Sequence, residues 1–374
     1  MILDSHVYTF LPVDDARGYA CSLEHLRMAQ ASHARHHQPS FRLSDRSPSS
    51  SIVLNPEGER DYERLPDLNF RADHAAGRIV WTVDGEDHTK HYYPPNLRNL
   101  EFTPQSLIGE MDHAGIDVAL IHTDPMLVRD STYLSECVGL YPDRLRSMSP
   151  VDEWRIISET DAVIDELTTA ITVHGLHAIK FITPLTLLAA PDPWDDGPYR
   201  PFWEAATALG VPVFFTLGTG PIKSADDPAE MQRAGYMDEL AAVNRWMQRY
   251  PDTLCSLTHG FPWRVFLDGD RIDLPEEIWT PFQNPNLSIE VCFPVRLGDL
   301  FDYPYEGLWS TLQKMVERIG ADRLLWGTDM PFQNRFCTYR QSRKWIEDYC
   351  SFLSDADRAA IMGDTAARIL ALQP

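Results

Sequence analysis

The residues best able to do chemistry stand at the ends of short apolar runs. Asp4, His6 and Tyr8 follow the run at 1–3, and strand side chains alternate, so positions 4, 6 and 8 are expected to share one face. His122-Thr-Asp124 follows the run at 117–121. His177-Ala-Ile-Lys180 brackets the fourth run, Thr216 ends the fifth, His259-Gly260 follows the sixth, Glu290 lies within the seventh, and Asp329 follows the eighth. Carboxylates and imidazoles can move protons or hold a metal, an ammonium can hold a carboxylate or a developing oxyanion, and a phenol can donate to one. Seven of eight runs delivering an ionisable or hydroxyl group is more than a packed core requires. Asp4 could equally do no more than orient His6 or bind strand-end amides, and His122 and His177 could be hydrogen-bonded interior histidines.

The elements that must position these groups are legible in the hydropathy. Apolar runs at 1–3, 117–121, 145–151, 178–181, 211–215, 254–257, 287–293 and 324–326 are too short for helices and rich in Val, Ile, Leu and Phe, as buried parallel strands are. Amphipathic stretches at 104–114, 155–173, 200–209, 233–249 and 308–319 alternate with them. Thr103-Pro104 is a helix start, and Ser354 with Asp357 has the spacing of a capping box. Eight strands alternating with helices predict an α/β fold, a (β/α)8 TIM barrel with its site at the carboxyl ends of the strands. The alternative, an open doubly wound sheet, usually carries a Gly-rich first turn that is absent here.

Residues 20–100 break this rhythm. The segment 78–85 alternates like a hairpin strand, and the whole reads as a long insertion after strand 1 that caps the barrel, within a single domain spanning 1–374. His33, His36 and His37 resemble a metal cluster, but their Ser-, Gln- and Pro-rich surroundings favour a solvated loop. Trp81, Tyr92, Tyr93, Phe261, Trp263 and Phe332 could line a pocket for a ring-bearing substrate, although such side chains are core residues first.

Composition narrows the function. The 374 residues are 44% hydrophobic and 24% charged, and 33 Lys plus Arg stand against 55 Asp plus Glu for a net charge of −22. That balance argues against nucleic acid and anionic membrane surfaces as partners, but not against a small anionic substrate held locally. No apolar run reaches about 18 residues, so no span is expected. Cys21, Cys137, Cys255, Cys292, Cys337 and Cys350 form no CxxC pair. Cys255 and Cys292 fall in apolar runs and are expected as buried thiols in a reducing compartment, with a cytoplasmic location.

The order Asp-x-His at the N-terminus, Gly-x-x-x-Ile-Lys, Pro-Val before a strand end, Thr-His-Gly and Trp-Gly-Thr-Asp-x-Pro resembles the amidohydrolase-2 family over 1–10 and 104–370. Tyr141-Pro-Asp-Arg144 and Pro201-Phe-Trp-Glu204 fit its helix boundaries. The resemblance implies hydrolysis or non-oxidative decarboxylation of a small, ring-derived carboxylic or carbonyl compound, in barrels that are often dimers or tetramers. It also implies one divalent metal, Zn or Mn, with two strand-1 ligands, a strand-5 His and a strand-8 Asp. His6 and Asp329 fill the first and last of those positions, and His259 fills that of the strand-6 His that acts on substrate. Tyr8 and Thr216 replace the other two ligands. Two protein ligands are fewer than a catalytic zinc site uses, so the expectation is a depleted, metal-free site unless His259 or His122 joins. Asp329, His259, Lys180 and Tyr8 are then the expected catalytic groups, with Thr216, His122, His177 and Glu290 around the substrate. A non-catalytic ligand-binding barrel and a decarboxylase with a rearranged ligand set are the alternatives.

Overall fold

The computed structural model describes residues 1–16, 18–189, 193–220, 228–291 and 293–372. Eight parallel strands form one sheet in chain order: β1 Leu3–Val7, β2 Val118–Ile121, β3 Leu145–Ser149, β4 Ala178–Ile182, β5 Val213–Thr216, β6 Cys255–Leu257, β7 Leu287–Val291 and β8 Leu324–Trp326. Each overlaps an apolar run read from the sequence, although β1 continues four residues past its run at 1–3, through the polar Asp4, Ser5 and His6. Burial from both sides is what makes such short runs apolar.

Closure between β8 and β1 is made by the chain just beyond β8. The Asp329 amide donates to the His6 carbonyl at 2.9 Å, and the Tyr8 amide to the Met330 carbonyl at 2.8 Å. Below them the Asp4 carboxylate accepts from the His6 amide (3.0 Å), the Thr328 amide (3.2 Å), the Thr328 hydroxyl (2.5 Å) and the Tyr339 hydroxyl (2.8 Å). The barrel seam is therefore built from the same segments that carry the candidate chemistry.

Helices α1 Ser22–Arg35, α2 Pro104–Ala114, α3 Ser131–Leu140, α4 Thr160–Thr172, α5 Arg200–Ala208, α6 Ala229–Arg249, α7 Pro294–Leu297, α8 Glu306–Ile319 and α9 Tyr339–Tyr349 follow the strands. Thr103 caps α2 by accepting from the Ser106 amide, and Ser354 with Asp357 forms the expected capping box. The helix expected from residue 155 begins only at Thr160, because Glu153–Arg155 forms a separate single turn.

The insertion is folded. It contributes α1 and a five-stranded antiparallel sheet, with strands Pro48–Ser49, Ser40–Arg42, Glu86–Lys90, Arg78–Val83 and Arg71–Asp73 in spatial order. Leu54, Ile79, Trp81 and Tyr93 belong to the same continuous core as the barrel's outer layer. The solvated-loop reading of the histidine cluster is overturned. His33 lies on α1, fully buried, with Nδ1 on the Ala29 carbonyl at 2.7 Å and its pKa pushed down to about 3 by burial. His36 and His37 end that helix at the mouth of the barrel. Polar local sequence misled because the apolar partners, Phe70, Tyr92 and Tyr93, are supplied from far along the chain.

Cys255 is buried and free, and Cys292 lies outside the described residues. No helix among the described residues is long and apolar enough to cross a membrane.

Candidate active site

His6, at the carboxyl end of β1, is the centre of the site. Its Nδ1 lies 2.9 Å from the Glu290 carboxylate, its Nε2 lies 3.0 Å from the Tyr8 hydroxyl and 3.5 Å from Asp329, and its ring stacks on His122 at 3.4 Å. The β1 register is irregular between Asp4 and Val7. That irregularity corrects the expectation that 4, 6 and 8 share a face. An extra residue in a strand breaks the alternation, so Asp4 turns to Thr328 and Tyr339 while His6 and Tyr8 meet. Asp4 is fully buried and ties the seam; it does not reach the pocket.

Beneath His6 lies a buried polar layer. Glu290 also accepts from the His259 amide at 3.0 Å, and burial raises its pKa. His122 gives Nε2–H to the Ser5 carbonyl at 2.8 Å, leaving Nδ1 to accept from the Lys180 ammonium at 3.0 Å. Burial pushes Lys180 down to about 8, while the carboxylates of Glu290, Asp124 and Asp329 act in the opposite direction. His122, Lys180 and Glu290 are no more than 2% exposed. Lys180, His122 and Glu290 thus hold the floor in shape, and none of the three borders the chambers above it. His177 precedes the first residue of β4, at the opposite rim of the barrel, where its Nδ1 faces the Ser147 amide at 3.4 Å. It flanks the strand that carries Lys180, but at the wrong end.

Above the floor, His259 and Asp329 reach open space. Both follow short strands in left-handed backbone, φ 66° and 64°, a conformation uncommon for non-glycine residues that turns each side chain out of its strand line. His259 Nε2 lies 3.8 Å from the Asp329 carboxylate. Burial raises the Asp329 carboxyl to about 6, opposed by the guanidinium groups of Arg296 and Arg335. Burial, then Arg296 and Lys180, lower His259 well below its ordinary range. These effects favour the neutral form of His259. Burial and the nearby Asp329 hold Tyr8 as a phenol.

The space above is divided in two. A small chamber of about 80 Å³ is bounded by Tyr8, Tyr92, Asp124, His259, Asp329, Phe332 and Arg335. A larger one of about 280 Å³ extends from it over Thr216, Leu217, Tyr236, Phe261, Trp263 and Arg264. His36, His37, His259 and Arg296 border both. Of the aromatic residues suggested by the sequence, Tyr92 and Phe332 line the first chamber and Phe261 and Trp263 the second, while Trp81 and Tyr93 are core. Thr216 lines the larger chamber, its hydroxyl on that of Thr258 at 2.7 Å.

Arg296 and Arg335 were not singled out in the sequence. Arg296 lies on the one-turn α7 and Arg335 six residues beyond Asp329, and nothing in local pattern separates them from surface arginines. Arg335 is fixed by donation to the His91 and Tyr92 carbonyls (3.3 and 2.9 Å), which leaves its buried Nε without a partner among the described residues.

Two groups among the described residues have metal-ligand chemistry. In the first, His6, His122 and Glu290, the nitrogens are engaged in the hydrogen bonds above. The second, His6, His259 and Asp329, fits one divalent ion. Its separations of 3.5 and 3.8 Å approach the edge of a tetrahedron with bonds of about 2.1 Å. His259 thus supplies the third donor missing from the sequence pattern. Tyr8 competes for the site, since a phenol donating to His6 Nε2 occupies the lone pair that a metal would use.

The structure resembles that of a Pseudomonas putida protein described as a putative 2-pyrone-4,6-dicarboxylic acid hydrolase, with a TM-score of 0.54 and 17% identity over 75% of this chain and 91% of that one. A Rhizobium 2,6-dihydroxybenzoate decarboxylase gives 0.51 and 20% over 71% and 88%. An Agrobacterium tumefaciens protein of ligand-free structure gives 0.52 and 14% over 100% and 96%. At these identities the likeness shows a common fold. No curated sequence matches the chain significantly. The amidohydrolase family model (Amidohydro_2) matches residues 87–372, and with that span the chain belongs to the amidohydrolase family.

Proposed function

We propose that this protein is a hydrolase that opens an ester or lactone of a small, ring-derived carboxylic acid, with Asp329 as the general base. The observation that carries the reading is the Asp329 carboxylate, which borders the small chamber together with Arg296 and Arg335 and is raised by burial to about 6. A carboxylate with that pKa is ionised at neutral pH yet basic enough to take a proton from water. Arg335 and Arg296, which border the chamber, suit a substrate carboxylate; Tyr92 and Phe332 offer flat apolar faces to a ring.

In the reaction, Asp329 removes a proton from water as the oxygen adds to the carbonyl carbon. The new oxyanion meets the N–H of neutral His259, or the Tyr8 O–H once it turns away from His6 Nε2. Collapse breaks the C–O bond, and the proton held by Asp329 passes to the departing oxygen, so ester plus water gives acid plus alcohol. A divalent ion held by His6, His259 and Asp329 would supply Lewis-acid polarisation of the carbonyl and a more acidic water.

The test is turnover of carboxylate-bearing lactones and hydroxybenzoates. 2-Pyrone-4,6-dicarboxylate is a natural first probe, being the compound class named for two fold neighbours. Ring-opened acid without CO2 is expected, and Asp329→Asn should lower kcat/KM by about 10³-fold. Release of CO2 from a hydroxybenzoate would replace hydrolysis by decarboxylation. Unaltered ligand handling in Asp329→Asn would make the barrel a binding protein.

A further inference from the structure

The insertion reaches the pocket at the end of α1, through Arg35, His36 and His37, and again at Tyr92; the three α1-end residues lie outside the segment matched by the family. The two histidines have different duties. His37 holds the cap down: its Nε2 lies 2.5 Å from the Asp299 carboxylate, which also accepts from Gln38 at 3.0 and 3.1 Å and from Arg264 at 3.3 Å. His36 is bound differently. The Gln38 amide donates to its Nδ1 at 3.2 Å, so that nitrogen is an acceptor and the ring hydrogen must be on Nε2. Nε2 has no hydrogen-bond partner among the described residues, and the ring borders both chambers, wedged between His37 (4.5 Å) and Tyr92 (4.4 Å).

A buried cation fixes this position. Lys90, 2% exposed, donates from Nζ to the His33 carbonyl (2.8 Å), the His36 carbonyl (2.7 Å) and the Ser51 hydroxyl (2.7 Å). The carbonyls at a helix C-terminus lack partners and carry the negative end of the dipole, so an ammonium there fixes where the helix stops. It also fixes the orientation in which the next imidazole enters the pocket. Burial and the nearby positive groups of His37, Arg335 and Lys90 keep that imidazole from taking a second proton.

We infer that His36 is a substrate-binding residue whose Nε2–H donates to a carboxylate oxygen of the substrate from the cap side of the chamber, with Lys90 as its positioning residue. This rests on the carboxylate-binding part of the function proposed above. It adds a donor that only the insertion supplies, and makes the cap a determinant of which acids are accepted.

The experiment uses the full chain and phthalate, an aromatic dicarboxylate that cannot be hydrolysed. Nitrogen-15 spectra should show His36 as the Nε2–H tautomer, and its Nε2 resonance should move when phthalate is added. His36→Phe should weaken phthalate about tenfold and His36→Gln, which keeps a donor of similar reach, should restore affinity to within about twofold. Lys90→Met should weaken phthalate while the His36 tautomer is retained; if that variant does not fold, the His36 pair decides. An Nδ1–H tautomer, equal phthalate affinity in His36→Phe, or a wild-type protein that ignores millimolar phthalate would each overturn the inference. Phthalate binding as expected, without hydrolysis of any lactone, would instead overturn the hydrolase reading alone.

Discussion

At the scale of single residues, the site separates groups that act from groups that hold. Asp329 and His259 face the chamber, whereas Lys180, His122 and Glu290 form a buried layer that fixes His6. Because Asp329 must be ionised to act, kcat/KM should rise with pH through about 6 and then level off. Arg296 lowers that pKa, so Arg296→Met should move the acid limb to higher pH, with a several-fold loss at pH 6 beyond any loss at pH 8; an unmoved limb would remove Asp329 as the base. Tyr8→Phe frees Nε2 of His6. Titration with Zn²⁺ should then show affinity at least about tenfold tighter than wild type, and equal affinities would mean that the phenol does not compete.

Elements are tied together where the chemistry is. Asp4 joins β1 to the turn after β8 and to α9 through four donors, all on buried residues. Asp4→Ala should cost about 3 kcal/mol or more in urea unfolding, since each buried donor left without a partner costs about 1–3 kcal/mol. Loss of a helix cap is a milder event. Thr338 and Gln341 form a reciprocal capping box at the start of α9, and Thr338→Ala should cost about 1 kcal/mol without altering kcat. These elements were legible: all eight strands and the caps at Thr103 and Ser354 lie where hydropathy and residue type put them. The irregular register in β1 was not, because a bulge changes which face a residue takes without changing the residue types around it.

For the molecule as a whole, the insertion is part of the enzyme body. Trp81, Ile79 and Tyr93 share one core with the barrel's outer layer, and the Arg335 and Asp299 contacts tie cap to rim. Backbone and aromatic signals should therefore unfold in a single coincident urea transition. Two separated transitions would show that the cap folds independently. The negative overall charge coexists with a pocket bordered by Arg35, Arg264 and Arg296, a local concentration of positive charge that composition does not report.

Sequence alone determined the barrel, the strands that build it and the polar residues at their ends, because burial imposes a residue-by-residue pattern that can be read without knowing the neighbours. Tertiary structure decided which of those residues face the chambers. It buried Lys180 under His122, sent His177 to the opposite rim, and brought His36, Arg296 and Arg335 from loops and a cap to within reach of Asp329. Such convergence depends on where distant segments close on one another, and a linear pattern of side-chain types carries no record of that.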